Sequence, residues 1–311
     1  MADPDAAEGT KMVSRIAIVR GVPDSFCDAL SMTPPPQPVD LERARLQHAV
    51  YVDVLKDLVQ EVIELPADNK YPDCPFIEDT AVVIGNRALI THPGAASRQG
   101  EEEAIREALK QLRIHISEVE PPGLIDGGDV LYASGMLFAG NSSRTNVAGI
   151  ESLQKAFPDV RVHTIRVGEG LHLKSGTTIR PHVVVFLDTY PTVVSFSFSI
   201  FVMCSRVLFS AISSISPKIL AVEDSPAAIA MFDEIQQKTD GHFKMVKTLG
   251  PGAANTVLVG DAVICSATLG LGSLKLEAHY KQHARHVIPV DISEFHKVDG
   301  GLTCLSLLIE R

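Results

Sequence analysis

The chain has 311 residues, of which 45% are hydrophobic, and a formal net charge of -10 with a pI near 5.5. This length can bury a sizeable core, in one large domain or in two ordinary ones. The acidic balance, with no run of basic residues, argues against a nucleic-acid partner, because such binding depends on lysine and arginine neutralising phosphates. A small cationic ligand fits the charge better.

Five segments have helical periodicity, at fairly regular intervals, and apolar β-branched runs separate them. For the first helix, Asp40 is the expected N-cap, and Leu46, Val50, Val54, Leu58 and Val62 form the expected apolar stripe. For the fourth, Ser225 is the expected cap before a proline at the first helical position. The predicted helices span residues 41–63, 101–112, 148–157, 226–238 and 274–285.

Three segments between these helices share one scheme, in which a polar residue precedes a strand, a short turn follows and a second strand returns. They are "EDTAVVIGNRALIT" (78–91), "GGDVLYASGMLFAG" (127–140) and "AANTVLVGDAVICS" (253–266). Gly85-Asn86 and Gly260-Asp261 stand where hairpin turns are expected. Equivalent polar positions recur after 43 to 50 residues, which predicts a propeller-like array of modules with a helix in each.

In such an array, the residues at the start of each module's first strand point toward a common centre. The residues at these positions are Glu78, Asp79, Asp126, Asp129, His172, Asn255 and Cys304. Their convergence would form a site. A plainer interpretation also stands, since Asp and Asn begin many strands simply because they favour turns.

The five cysteines are widely spaced and odd in number, without a CxxC pair, which is poor material for a disulfide framework or a structural zinc site. Together with an acidic first segment that has no apolar core, they predict a reducing, cytoplasmic location. A lone cysteine is most often a small buried hydrophobe. Cys304, however, follows a glycine turn, and His172 is available as a base, so a thiolate nucleophile is the competing interpretation.

The stretch "DCPFIEDTAVV" (73–83) places Asp73, Glu78 and Asp79 around a short apolar segment that leads into a strand. A solvated loop is the ordinary explanation. If the strand is buried, though, its carboxylates need cations, and a guanidinium matches two or more carboxylates through its planar array of N–H donors. Few arginines lie nearby in the sequence, so the cation is interpreted as the substrate.

Six ordered motifs resemble dimethylarginine dimethylaminohydrolase, of the guanidino-group-modifying superfamily. They are "ELPAD" (64–68), "DCPFIEDTAVV" (73–83), "LIDGGDVL" (124–131), "SSRTN" (142–146), "LHLKS" (171–175) and "KVDGGLTCLSLLI" (297–309). The resemblance covers nearly the whole chain and implies a five-bladed α/β propeller of ββαβ modules, the pentein fold. It also implies hydrolysis of asymmetric dimethylarginine and monomethylarginine to citrulline through a covalent thiouronium.

The resemblance further implies roles for individual residues. Cys304 would be the nucleophile, His172 the acid and base, and Asp126 the residue that orients His172. The expected substrate-binding residues are Asp73, Glu78, Asp79, Arg98, Arg144, Val298, Asp299 and, in a lid-like stretch, Leu30. No cofactor is expected, although Cys304, His172 and Glu78 could together bind an inhibitory zinc ion.

Two kinds of alternative stay open. The first is an arginine deiminase or amidinotransferase, which would use the same Cys, His and carboxylate set. The second is a propeller that keeps the fold but works as a binding or scaffold protein. The expected partner is a small molecule, a methylated arginine substrate. Neither nucleic acid nor a membrane is expected as a partner, and the protein is expected to be a monomer or a weak homodimer.

One segment departs from the pattern. We expect a flexible tail over residues 1–12 and a single propeller domain over 13–311, interrupted by an atypical hydrophobic insertion at about 188–218. Its flanks, "VVVFLD" (183–188) and "ILAVED" (219–224), both resemble the strand that should precede the fourth helix. Val193 to Ile215 is long enough for a membrane span, but Arg206 and the serines within it argue against one.

Overall fold

The computed structural model describes residues 13–32, 34–35, 37–167, 172–174, 176–185, 200–209, 212–248, 252–267 and 277–311. Its strands form five three-stranded sheets and one separate two-stranded pair. Each three-stranded sheet has one antiparallel and one parallel neighbour pair, as a hairpin followed by a helical crossover requires. The predicted ββαβ module is therefore confirmed.

The strands have the following bounds, module by module. The first module contains β1 (Arg15–Arg20) and β2 (Glu61–Leu65); the second β3 (Ala81–Ile84), β4 (Arg87–Ile90) and β5 (His115–Glu118); the third β6 (Val130–Ala133), β7 (Met136–Asn141) and β8 (Arg161–Arg166). The separate pair is β9 (Gly176–Val185) and β10 (Ile200–Phe209). The fourth module contains β11 (Ile212–Ser216), β12 (Ile219–Glu223) and β13 (Lys244–Thr248); the fifth β14 (Val257–Val259), β15 (Ala262–Ser266) and β16 (His286–Val290). The final strand, β17 (Leu307–Glu310), completes the first module by pairing with β1.

Five helices among the described residues have complete bounds: α1 (Leu41–Leu58), α2 (Glu102–Gln111), α3 (Val147–Ala156), α4 (Pro226–Lys238) and the single turn α5 (Ser293–His296). The predicted caps are confirmed, since Asp40 accepts from the amide of Arg43 and Ser225 from that of Ala228. Residues 277–280 are helical, and the beginning of the helix predicted at 274 lies outside the described residues.

The apolar stripe predicted for α1 is confirmed only in part, since Val54, Leu58 and Val62 pack against the core and Leu46 and Val50 do not. Leu46 is 69% exposed and Val50 is 54% exposed, whereas Ala44, Tyr51 and Leu55 pack in the core. The buried stripe is shifted by about half a turn because it begins at Ala44 rather than Leu46. The helix also stops at Leu58, and the apolar residues that follow belong to β2.

Neighbouring modules share one hydrophobic cluster each. Ile16 and Ile18 of the first module pack with Ile90 and Ile105 of the second, and corresponding clusters follow between each later pair. The last cluster joins the fifth module to the first through residues such as Ile264 and Tyr51. Five shared cores close the ring, which confirms the five-bladed propeller.

Four of the five modules carry a polar site residue just before the first strand. Asp79 precedes β3, Asp129 precedes β6, Asn255 precedes β14 and Cys304 precedes β17, each by one to three positions. The fifth, His172, lies 40 positions before β11, because β9 and β10 intervene. The predicted register therefore holds around the ring, with one interruption.

This interruption corrects the bounds of the predicted insertion. Ile212–Ser216, which the expected range 188–218 includes, is the first strand of the fourth module, with Ile212 and Ile215 fully buried. Ile219–Glu223 takes the strand position before α4, because it pairs with both β11 and β13 and leads directly into the Ser225 cap. The chain added to the repeat therefore includes β9 and β10 and ends before Ile212.

No helix among the described residues is long and apolar enough to cross a membrane. The flexible tail predicted at 1–12 and residues 188–199 lie outside the described residues.

Candidate active site

A narrow cavity of about 130 Å³ opens where the modules' first strands converge. Ten of the eleven predicted site residues line it: Leu30, Asp73, Asp79, Arg98, Asp126, Arg144, His172, Val298, Asp299 and Cys304. Ser31, Met32, Phe76 and Gly300 complete the wall. Residues from four different modules and the segment after β1 are therefore brought to one point.

Cys304 is half-buried in a short 3₁₀ turn (Thr303–Leu305) that precedes β17. Asn255 fixes this turn, since it accepts from the Thr303 amide at 3.0 Å and donates to the Thr303 hydroxyl at 3.1 Å. The Gly301 amide donates to the Cys304 sulfur at 3.4 Å. Burial, with the carboxylates of Glu78 and Asp79, raises the pKa of the Cys304 thiol to about 12. The thiol is therefore protonated in the empty cavity at neutral pH.

His172 and Asp126 form a buried pair, with His172 Nε2 2.8 Å from Asp126 Oδ2. The Gly94 amide donates to the other oxygen of Asp126 at 2.8 Å, and Thr145 accepts from the Asp126 amide. Burial lowers the pKa of His172, but the carboxylates of Asp79, Asp126 and Asp129 outweigh it and raise the pKa to about 9. The imidazole is therefore a proton donor at neutral pH.

Asp79 lies on the other side of the imidazole, and Gly128 separates the two. A Cβ at Gly128 would lie 2.8 Å from both Asp79 Oδ1 and His172 Nδ1, so only glycine fits between them. The Gly128 amide donates to Asp79 at 2.8 Å. Burial raises the pKa of Asp79, but His172 and Arg98 outweigh it and lower the pKa to about 2. Asp79 is therefore ionised and faces the site.

Arg98 is fully engaged with protein groups. It donates to Asp79 at 2.5 Å, to the Phe76 carbonyl at 3.0 Å and to both oxygens of Glu101. These acceptors occupy four of the five N–H donors of the guanidinium and leave one on Nη1, so most of its hydrogen-bonding capacity is committed to the protein. Arg98 lines the cavity as predicted, but its contacts orient Asp79.

Arg144 is the contrasting arginine. Its backbone amide is held by Ser142, whereas its guanidinium makes no hydrogen bond or ion pair with the residues that the structure describes. A cation at the wall of the cavity with free donors is suited to bind a ligand carboxylate.

Asp73 and Asp299 hold the segment that covers the cavity. Both oxygens of Asp73 accept from the Leu30 amide, at 3.1 and 3.2 Å, and Asp299 accepts from the Met32 amide at 2.6 Å. Asp299 has φ +62°, a left-handed conformation that aspartate tolerates. Burial raises the pKa of both carboxyl groups.

Glu78 departs from the prediction. It does not line this cavity; it faces a second cavity on the opposite side and pairs with Lys174 at 2.5 Å. Successive residues of the 3₁₀ turn Ile77–Thr80 point in different directions, so Asp79 enters the site and Glu78 leaves it. Its predicted contact with the substrate guanidinium is therefore not supported by this geometry.

The predicted zinc ligands are not the ones that the structure brings together. Among the described residues, the group whose ligand atoms lie within 4.8 Å of one another is Asp79, Asp126 and His172, without Cys304 or Glu78. Asp126 already binds His172, and Asp79 already binds Arg98 and the Gly128 amide. These contacts describe a charge cluster around an imidazole rather than a prepared metal site.

Three residues at or next to the site were not predicted from the sequence: Glu101, Lys174 and Phe76. Glu101 is almost fully buried and holds Arg98, and its position three residues after Arg98 at a helix start was an available signal. Lys174 follows the site histidine within "LHLKS", where its charge in an apolar stretch marked it. Phe76 stands inside the carboxylate motif, and nothing in the local pattern distinguishes it from core.

No family model matches the chain. Among curated proteins, it is 29% identical to the dimethylarginine dimethylaminohydrolase of Streptomyces coelicolor, over 96% of this chain and 99% of the relative. It is 26% identical to the enzyme of the same name from Pseudomonas aeruginosa, over 93% and 97% of the two chains.

Solved structures give the same result. A cysteine-to-serine variant of the Pseudomonas aeruginosa enzyme, complexed with citrulline, aligns with a TM-score of 0.73 and 25% identity, over 94% of this chain and 98% of that one. The N-terminal domain of a cyanobacterial arginine dihydrolase aligns with a TM-score of 0.70 at 18% identity, a likeness of fold alone.

The closed ring of five ββαβ modules is the pentein fold, which the solved dimethylarginine dimethylaminohydrolase and the arginine dihydrolase domain share. Over nearly its whole length the chain is similar to dimethylarginine dimethylaminohydrolases, which confirms the resemblance seen in its motifs. The prediction of an amidinohydrolase-type enzyme is confirmed with it.

Proposed function

We propose that the chain hydrolyses asymmetric dimethylarginine and monomethylarginine to citrulline, with release of dimethylamine or methylamine. The observation that carries this proposal is the arrangement of one cavity, where Cys304, the His172–Asp126 pair and the carboxylates Asp73 and Asp79 all form the wall. A thiol, a proton donor and cation-binding carboxylates are the groups that attack on a guanidinium carbon requires.

The substrate would lie with its guanidinium between Asp73 and Asp79 and its α-carboxylate at Arg144. Carboxylate oxygens keep lone pairs for further donors after accepting one amide, so Asp73 can bind both the Leu30 amide and a guanidinium N–H. The backbone around Val298 and Asp299 would contact the amino-acid end, beneath Leu30. Holding the guanidinium plane in this way positions its carbon for attack.

In the first half-reaction the Cys304 thiolate attacks the guanidinium carbon, and the bond from that carbon to the methylated nitrogen breaks. His172 donates its proton to the departing amine, which leaves neutral. With a thiol pKa of about 12 in the empty cavity, the thiolate becomes favourable only when a cation lies beside it, and the thiol proton is then released to solvent because His172 already holds one. The substrate's own charge therefore activates the nucleophile.

In the second half-reaction water attacks the thiouronium carbon, and His172, now neutral, accepts a proton from that water. The carbon–sulfur bond then breaks and regenerates the Cys304 thiolate, the remaining hydroxyl proton of the intermediate passes to solvent, and citrulline leaves. Asp126 accepts a hydrogen bond from the imidazole throughout, so it stabilises the protonated form at both steps.

We also propose that residues 13–311 form one catalytic domain, that it works as a monomer or weak homodimer in the cytoplasm, and that it needs no cofactor. Arginine is the competing substrate, because an arginine dihydrolase domain shares the fold. An inactive scaffold is the other alternative.

The deciding experiment measures citrulline released by the purified chain from asymmetric dimethylarginine, monomethylarginine and arginine, by mass spectrometry. Cys304→Ser should lose all detectable turnover, because a hydroxyl is a far weaker nucleophile at neutral pH. Cys27→Ser is the matched control, since Cys27 is exposed and lies outside the cavity, and it should keep full activity.

Equal activity in wild type and Cys304→Ser would refute the covalent mechanism. Faster turnover of arginine than of either methylated substrate would favour a deiminase. A folded wild-type protein without turnover of any of the three would favour the scaffold.

A further inference from the structure

The segment that carries His172 differs from those of the other site residues in its distance from the first strand of its module. In four modules the polar residue leads directly into a strand, whereas 40 positions separate His172 from β11. The imidazole must nevertheless stay within 2.8 Å of Asp126. Contacts with a neighbouring module therefore have to hold the His172 imidazole in place.

The third module supplies these contacts. The Leu173 amide donates to Asp129 Oδ1 at 2.7 Å, and the Lys174 amide donates to the Gly128 carbonyl at 3.1 Å. The Leu173 side chain is fully buried in the cluster that joins the third and fourth modules. The two residues after His172 are thus bound to one short turn, Gly127–Asp129.

Asp129 is fully buried and does not line the cavity. Its second oxygen accepts from the hydroxyls of Ser142 and Thr145, at 2.6 Å each. The Thr145 hydroxyl also accepts from the Asp126 amide at 3.2 Å. One carboxylate therefore holds the residue after His172 directly and the backbone of Asp126 through Thr145.

We propose that Asp129 is a positioning residue, which fixes His172 and Asp126 relative to each other where the chain's insertion has separated His172 from its strand. Its carboxylate accepts three hydrogen bonds, and all three favour the ionised form. For its effect on turnover, this inference rests on the proposed function.

The test uses two substitutions in the full chain. Asp129→Asn keeps an oxygen for the Leu173 amide but removes the charge, and Asp129→Ala removes both. Glu223→Gln is the matched control, because Glu223 is an equally buried carboxylate in the fourth module, outside the cavity. Three readouts apply: kcat and KM for methylarginine, hydrogen exchange at the Leu173 amide, and the NMR titration of His172 assigned with His172→Gln.

Asp129→Ala should speed exchange at Leu173 and lower kcat by about 100-fold, the lower range for loss of well-placed acid–base catalysis, with KM nearly unchanged. Asp129→Asn should keep the Leu173 amide protected, lose less of kcat, and lower the pKa of His172, because one of the carboxylates that raise it is then neutral. Glu223→Gln should change none of the three.

Exchange and titration need no substrate, so they test Asp129 even if the proposed activity fails. Unchanged Leu173 exchange and kcat in a folded Asp129→Ala would overturn the inference. If Asp129→Ala does not fold, Asp129→Asn decides: a His172 pKa equal to that of wild type overturns the inference, and a lowered one supports it.

Discussion

The two central side chains of the cavity both hold protons at rest. The pKa of Cys304 is raised by burial and by carboxylates, whereas that of His172 is raised by carboxylates against burial. A thiol and an imidazolium do not react with neutral electrophiles as a thiolate–imidazolium pair would. The Cys304 sulfur is therefore a poor nucleophile in the empty site, and a bound cation is required to favour its thiolate.

This electrostatic state predicts slow alkylation of Cys304 in the free enzyme. The rate with iodoacetamide should rise steadily with pH between 7 and 10, because the thiolate fraction grows about tenfold per unit below the thiol pKa. Exposed Cys27 is the internal reference, and peptide mass spectrometry separates the two. A Cys304 rate that is already constant above pH 7 would contradict the raised pKa.

The site residues were predictable from sequence where the repeat fixes their direction. Asp79 and Cys304 lie two and three positions before a strand, Asp126 lies four positions before β6, and all three line the cavity. Glu78 was misplaced because a motif gives the order of residues but not the direction of each side chain in a 3₁₀ turn. Its pairing with Lys174 depends on a contact across 96 positions that no local pattern encodes.

At the scale of elements, the segment between β1 and α1 is attached at both ends. Asp73 and Asp299 hold Leu30 and Met32, while Glu294 accepts from the Asp40 amide and Lys297 donates to the Pro38 carbonyl. The proline-rich middle has few amide donors of its own. The hydrogen bonds at its ends therefore determine whether it covers the cavity.

Removing one of these attachments should open the cover. Asp299→Gly removes the acceptor for Met32 yet tolerates the positive φ, so we expect faster hydrogen exchange in peptides spanning 28–40 and a raised KM, with a smaller effect on kcat. Asp299→Asn, which keeps an oxygen acceptor and also tolerates this φ, is the matched control. Equal exchange in the glycine variant and wild type would show that the other attachments suffice.

Helix starts were better predicted than helix ends or faces. Ser225 and Asp40 cap their helices as expected, because capping depends on residues adjacent in sequence. The buried face of α1 was predicted only in part, because Val54 and Leu58 pack against the core but its centre is formed by Tyr51 and Leu55. Packing between modules determines which face is buried, and the periodicity of the sequence does not predict it.

At the scale of the whole molecule, the ring is complete without β9 and β10. Those strands pair only with each other among the described sheets, whereas β11 contributes Ile212 and Ile215 to two of the five shared cores. The sequence indicated an atypical segment but not its limits, since "VVVFLD" and "ILAVED" resemble each other and only their pairing distinguishes them, the first with β10 and the second with β11 and β13.

Two deletions test whether β11 belongs to the ring while β9 and β10 do not. Removing residues 176–209 should leave the thermal midpoint and citrulline release at or above those of the full chain. Removing 188–218 should destabilise it strongly, because it deletes β11, and each fully buried isoleucine contributes about 1.5–3 kcal/mol. Calorimetry and the citrulline assay give both readouts. The opposite ranking of the two deletions would place the insertion elsewhere.

The pairing of β17 with β1 bears on the order in which the protein folds. Arg15 and Glu310, which are ion-paired in this sheet, are 295 positions apart, so their contact closes a very large loop and we expect it to form late. Cys304 immediately precedes β17 and reaches the cavity only with it. A partly folded molecule would thus hold its carboxylates and imidazole without a thiol beside them, and chemical competence would begin only when the ring closes.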